Sequence, residues 1–171
     1  QAASAERFVF VSTCSNYGRM CDAETIVDET AELRPLSVYA ESKVEVEKLI
    51  LGPIDDAMFC PTVLRFATLH GVSPRMRFDL TVNEFTMELI VAGRLAVYGR
   101  QFWRPYLHVR DASRAIQLIL NSDQNAVGGQ VFNVGDTEQN FRKGELVEIA
   151  RAKAPESVVD YIEKDEDPRD Y

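Results

Sequence analysis

Pro35-Leu-Ser-Val-Tyr39-Ala-Glu-Ser-Lys43-Val-Glu-Val-Glu-Lys-Leu-Ile50 decides how the rest of the chain is read. The stretch predicts a helix, with Pro35 and Ser37 as start signals and Gly52-Pro53 as its stop. Tyr39 and Lys43 are four residues apart and share one face. Val46 and Ile50 continue that face, while Glu41, Glu45 and Lys48 fall opposite. The side expected to pack inward therefore carries a phenol and an ammonium, and a buried ammonium is costly unless something holds it. One explanation is chemical: the ammonium favours the phenolate, and a tyrosine tuned this way exchanges a proton with an alcohol near neutral pH. The other is an ordinary amphipathic helix with a snorkelling lysine. Tyr-x-x-x-Lys alone does not separate them.

On the N-terminal side, Arg7-Phe-Val-Phe-Val-Ser12 is a continuous apolar run of the kind buried on both faces of a parallel sheet. It ends in Ser12-Thr13-Cys14-Ser15-Asn16-Tyr17-Gly18. Hydroxyls beyond the carboxyl end of a parallel strand stand where such sheets bind ligands, although a Ser/Thr turn satisfying its own backbone explains Ser12 and Ser15 equally well. On the other side, Met58 to Phe66 reads as the next strand, with Pro61 pointing to an edge or a bulge. Strand, helix, strand is one right-handed crossover unit. Ala67-Thr-Leu-His-Gly71 then reads as a loop, and Ser73-Pro-Arg-Met-Arg77 as a basic, solvated one.

A helix is expected from about Asp79 to Val91, then a short strand over 95–98, a loop at 99–105 and an extended piece at 106–109. The next helix buries Ala112, Ala115, Ile116 and Ile119, and Gln130–Val134 is a strand. A last helix over about 143–154 turns Leu146, Ile149 and Ala150 inward, and a highly charged tail begins at Glu163.

Composition sets limits. Hydrophobic content of 46% and charged content of 27% are those of a globular protein, and the net charge of −8 is not that of a nucleic-acid surface. No apolar run reaches membrane-spanning length, so neither a nucleic acid nor a membrane is expected as partner. The three cysteines, Cys14, Cys21 and Cys60, lack metal-ligand spacing and suit a reducing cytoplasm. No metal is expected.

Thr13-x-x-x-Tyr17-Gly18, Tyr39-x-x-x-Lys43, Leu64-Arg65-Phe66 and Trp103-Arg104-Pro105-Tyr-Leu-His108-Val-x-Asp111 follow one another in a fixed order and spacing. Together they resemble the extended short-chain dehydrogenase/reductases, the NAD(P)-dependent nucleotide-sugar epimerases and dehydratases. The resemblance covers nearly the whole chain. It implies an α/β fold: a Rossmann-like parallel sheet, represented by its C-terminal strands and helices, with a small α/β substrate-binding portion. Residues 1–72 would be the second half of the dinucleotide-binding domain, and 73–171 mainly the substrate portion, with one or two elements returning to the first. The resemblance also implies NAD or NADP as cofactor, a nucleotide sugar as substrate, and a homodimer packed through the Tyr39 helix.

The same resemblance implies roles. Tyr39 matches the catalytic acid/base, and Lys43 the lysine that lowers its pKa and holds the nicotinamide ribose. Thr13 matches the hydroxyl residue bonded to the reacting sugar oxygen. Ser12, Phe66 and Thr68 fall among the strand-end residues beside the nicotinamide. Cys14 and Ser15 adjoin the substrate, Cys14 as a small packing residue. Asn83, Tyr98 and Arg104 match positions that hold the sugar nucleotide, with Arg104 toward the diphosphate, and Arg169 matches a further phosphate-binding arginine. His108 and Asp111 are expected to fix a loop–helix junction.

Two departures qualify the match. Many sugar 4,6-dehydratases carry Asp-Glu where this chain has Cys14-Ser15, which removes an acid and base suited to eliminating water. The glycine-rich loop that opens the family's dinucleotide domain has no counterpart. A fragment, or part of a longer polypeptide, is therefore expected, its sheet edge covered by a missing N-terminal segment or a partner. The expected reaction is epimerisation through transient oxidation of a sugar hydroxyl. The alternatives are a non-catalytic fragment, or a reductase, decarboxylase or dehydratase of the same family.

Overall fold

The computed structural model describes residues 5–19, 26–53 and 59–167. Strand β1 (Arg7–Thr13) runs into a 3-10 turn (Cys14–Tyr17), and helix α1 (Val38–Leu51) leads to β2 (Cys60–Phe66). These strands are adjacent and parallel, in register from Arg7 opposite Cys60 to Thr13 opposite Phe66. The third strand of the sheet, β6 (Gln130–Val134), joins β2 on its other side, also parallel. Ser37 starts α1 as expected: its hydroxyl accepts the Ala40 N–H at 3.2 Å.

The remaining elements are β3 (Thr68–His70), α2 (Thr81–Met87), β4 (Arg94–Tyr98), β5 (Trp103–His108), α3 (Val109–Asn121), α4 (Gln124–Val127), β7 (Asn140–Arg142), α5 (Lys143–Arg151) and β8 (Val158–Ile162). A π turn (Glu88–Ala92) extends α2 and stops at Gly93, whose φ of 66° is left-handed. A second sheet has the order β3-β5-β7, and a third pairs β4 with β8. Among the described residues no helix is long and apolar enough to cross a membrane.

Several expectations need correction. Pro61 marks neither edge nor bulge: β2 is the central strand and is buried throughout. The Pro61 carbonyl accepts the Gly129 N–H at 2.7 Å, and the β6 ladder begins only at Thr62, so the missing N–H falls ahead of it. Strand β1 is not buried on both faces. Phe8 and Val11 are 39% and 38% exposed, because among the described residues β1 has a strand partner on one side only.

The inward face of α1 is Ala40, Val44 and Glu47, whereas Tyr39 is 57% exposed. Trp103-Arg104-Pro105 is strand rather than loop, paired antiparallel with β7. In α5 the buried pair is Leu146 and Val147, while Ile149 is exposed. The charged tail is not all solvated, since Asp167 is buried.

Two apolar clusters hold these elements. Leu64, Phe66, Leu107, Ala112 and Ile119 centre one, between the first sheet and α3. Phe85, Leu89, Leu95, Val97, Tyr106 and Val147 form the other. Each fully buried aliphatic or aromatic side chain contributes about 1.5–3 kcal/mol.

Candidate active site

Parallel strands leave a crevice beyond their carboxyl ends, and here that crevice is a cavity of about 540 Å³. Its walls come from distant parts of the chain. The ends of β1 and β2 bring Ser12, Thr13 and Phe66, the turn after β1 brings Ser15, and the first turn of α1 brings Tyr39. Thr68 and His70 of β3, Asn83 of α2 and Arg104 of β5 complete it with the loop that carries Arg75 and Arg77.

Thr13 and Tyr39 thus meet on one cavity although 26 residues separate them. The Thr13 hydroxyl accepts the Ser15 N–H and donates to the Ser15 hydroxyl, both at 3.2 Å, which pins it at the strand end. Lys43 lies one helical turn beyond Tyr39. Its ammonium is 5.8 Å from the Tyr39 ring centroid and 4.7 Å from that of Phe10, and it donates to the Val11 carbonyl at 2.8 Å. Glu6 offers its carbonyl to Cys60 of β2. By strand alternation Val11 therefore turns its carbonyl to the opposite edge, where Lys43 takes it.

The other expected residues divide. Ser12 reaches the cavity wall, but its hydroxyl donates to Glu47 at 2.5 Å. Asn83 accepts the Gly71 N–H at 3.4 Å and donates to the Arg77 carbonyl at 3.0 Å, so it braces the loop at the cavity mouth. Arg104 is buried and donates to Asp167 at 2.5 Å and to the Trp103 carbonyl at 2.6 Å. Cys14 and Tyr98 are not among the cavity residues; Tyr98 is 54% exposed, and its carbonyl accepts from Lys143. Arg169 lies outside the described residues. His108 caps α3 by accepting the Arg110 N–H at its Nδ1, 3.2 Å away.

Sequence reasoning missed three features. Arg75 and Arg77 are solvated as expected, yet both also line the cavity. Asp79 hydrogen-bonds Arg77 at 2.6 Å and raises its guanidinium above its ordinary pKa, an effect to which an ionised Tyr39 adds. His70 is held below its usual pKa, chiefly by burial and then by neighbouring His108. The third is a buried network centred on Glu47 and Arg65. The one available signal was spacing, since Glu47 stands four residues beyond Lys43 on the same helical stripe.

A family model described as the NAD dependent epimerase/dehydratase family matches residues 1–135. The chain is similar to an uncharacterised UDP-glucose epimerase of Bacillus subtilis, YtcB, with 29% identity over 137 residues, 80% of this chain and 41% of the relative. It is also similar to dTDP-D-glucose 4,6-dehydratase of Bos taurus, with 24% identity over 172 residues, 94% of this chain and 46% of the relative. Among solved structures, MoeE5 in complex with UDP-glucuronic acid and NAD matches with a TM-score of 0.82 and 26% identity, over 97% of this chain and 54% of that one. The chain thus spans less than half the length of the two relatives and about half that of the solved structure.

Proposed function

We propose that this chain, which belongs to the NAD-dependent epimerase/dehydratase family, supplies the acid/base centre of an epimerase that acts on a nucleotide sugar. The observation that carries the reading is the meeting of Thr13 and Tyr39 on one cavity, with the Lys43 ammonium beside the Tyr39 ring. In this reading residues 1–72 carry that set, and residues 73–171 mainly grip the substrate.

The residues present suit the nicotinamide half of NAD. A cavity at parallel strand ends admits the ring, and Lys43 uses one of its three donors on Val11, which leaves two for ribose hydroxyls. Bound NAD would supply the site for the hydride that leaves the sugar carbon and comes back to it. Tyr39, as phenolate, takes the proton of the sugar hydroxyl, and later gives it back. The Thr13 hydroxyl bonds the same oxygen and holds it against Tyr39. Lys43 stands beside that phenol, its ammonium 5.8 Å from the ring centroid. Arg75, Arg77 and Arg104 line the cavity, with Arg77 held by Asp79 and Arg104 by Asp167, and guanidinium groups are suited to a diphosphate.

Epimerisation is favoured over dehydration by the carboxylates. Among the described residues Asp79 is the carboxylate on the cavity wall, and it is tied to Arg77. No acid and base flank the substrate from positions 14 and 15.

The test is turnover by the full-length protein with NAD and a panel of UDP-glucose, UDP-glucuronic acid and dTDP-glucose, read by NMR of the sugar products. The expected result is interconversion of epimers, reduced by about a hundredfold or more in Tyr39→Phe. Undiminished turnover in Tyr39→Phe, or accumulation of a dehydrated keto-sugar as main product, overturns the reading.

A further inference from the structure

Glu47 stands eight residues beyond Tyr39 on α1, and only 3% of its surface is exposed. A carboxylate so placed needs partners, and it has them from three directions. Its Oε1 accepts from Ser12 Oγ at 2.5 Å and Asn16 Nδ2 at 2.7 Å. Arg65 donates to both of its oxygens, through Nε at 3.2 Å and through Nη2 to Oε2 at 2.7 Å. Arg65 Nη1 also donates to the Tyr17 hydroxyl at 2.9 Å, which in turn donates to Asn133 of β6 at 2.7 Å.

The places of these partners matter more than their number. Ser12 precedes Thr13 at the end of β1, Asn16 lies in the turn that Thr13 caps, and Arg65 precedes Phe66 at the end of β2. One carboxylate therefore ties α1 to the strand ends that line the cavity. The apolar contacts of α1 are less directional: its buried apolar residues are Ala40 and Val44. Small apolar surfaces slide with little loss, whereas charge-assisted bonds to a guanidinium fork have a set geometry.

We propose that Glu47, with Arg65, is a positioning pair that fixes the rotation and tilt of α1 so that Tyr39 faces Thr13. The inference rests on Tyr39 being the acid/base of the proposed reaction. Eight residues of helix put Tyr39 about 12 Å along the axis from Glu47. A tilt of about 5° about that anchor moves Tyr39 by about 1 Å, a misplacement able to cost on the order of a hundredfold in rate.

The test compares Glu47→Gln, Arg65→Lys and the apolar double variant Glu47→Met/Arg65→Met in the full-length protein. Turnover is measured well below each melting temperature and normalised to folded protein, with NAD and whichever of the three panel sugars the wild type turns over fastest. Both single variants are expected to lose tenfold to a hundredfold in kcat with KM for the sugar within about threefold. The double variant removes both charges together, which restores stability in comparable buried pairs, yet kcat is expected to stay low. Recovery of kcat along with stability in the double variant, or wild-type kcat in folded single variants, overturns the proposal and leaves the pair merely structural. Tyr39→Phe keeps the two readings apart: if it is inactive while the Glu47 and Arg65 variants keep full kcat, only the positioning role fails, and if it is active, the proposed function fails first.

Discussion

Replacing Asp167 by alanine should destabilise the protein by about 3–5 kcal/mol, the usual cost of removing one member of a buried ion pair. Asp167 is 2% exposed and accepts from Arg104 at 2.5 Å and from Lys143 at 2.9 Å, both also buried. The variant leaves two buried cations without their carboxylate, and neither escapes by losing its proton cheaply, least of all the guanidinium. For a chain of this size 1 kcal/mol corresponds to about 2–4 °C in Tm, so the expected drop is about 6–20 °C. Thermal unfolding followed by circular dichroism at pH 7 reads it directly. That energy measures the stranding of charge, not the net worth of the cluster. The combined Arg104→Met/Lys143→Met/Asp167→Leu protein is therefore expected to recover most of the lost stability. A drop below about 2 °C in Asp167→Ala would refute the reasoning, because it would mean that the two cations reach water or other anions with little loss.

Two further outcomes follow from single residues. Burial pushes the Tyr106 phenol up to about 12 from its ordinary 10.0. The folded state thus disfavours the phenolate, and the stability linked to this group is complete below pH 10 and lost as the pH rises from 10 to 12. The loss is about 3 kcal/mol, so urea unfolding at pH 9 and pH 12 should fall by about that much more in the wild type than in Tyr106→Phe; parallel pH dependences would contradict it. Gly18 has φ 70° and ψ −156°, a region open essentially to glycine, and an added Cβ would strike the Arg34 carbonyl. Gly18→Ala should cost at least about 2 kcal/mol in urea unfolding, and an unchanged midpoint would show that the turn relaxes freely.

What the sequence reveals depends on how local the cause is. The periodicity of α3 and the apolar runs of β1 and β2 are short-range patterns, and they identify those elements. Tyr39, Lys43 and Thr13 are marked by residue type at a fixed spacing. Glu47 is not, because a glutamate on a helix ordinarily reads as solvated surface, and its partner Arg65 arrives 18 residues later on another element. Asp167 is hidden by its acidic neighbours in the same way; its burial depends on Arg104 and Lys143, far off in the chain. Strands β3 and β7 are three residues long and show no period of their own. Their extended form comes from pairing with β5, a tertiary cause that no window of sequence contains. Pro61 misleads for a related reason, since a proline weakens a ladder only where its N–H has an opposite number.

Lys43 takes its oxygen from the peptide backbone of Val11 rather than from a side chain. Every amino acid at position 11 offers that same oxygen, so mutational drift there leaves the tether of the ammonium intact. The charge beside the phenol is thereby insulated from much of the sequence variation around it, and a lineage can remodel the rest of the cavity wall while this one electrostatic setting is inherited unaltered.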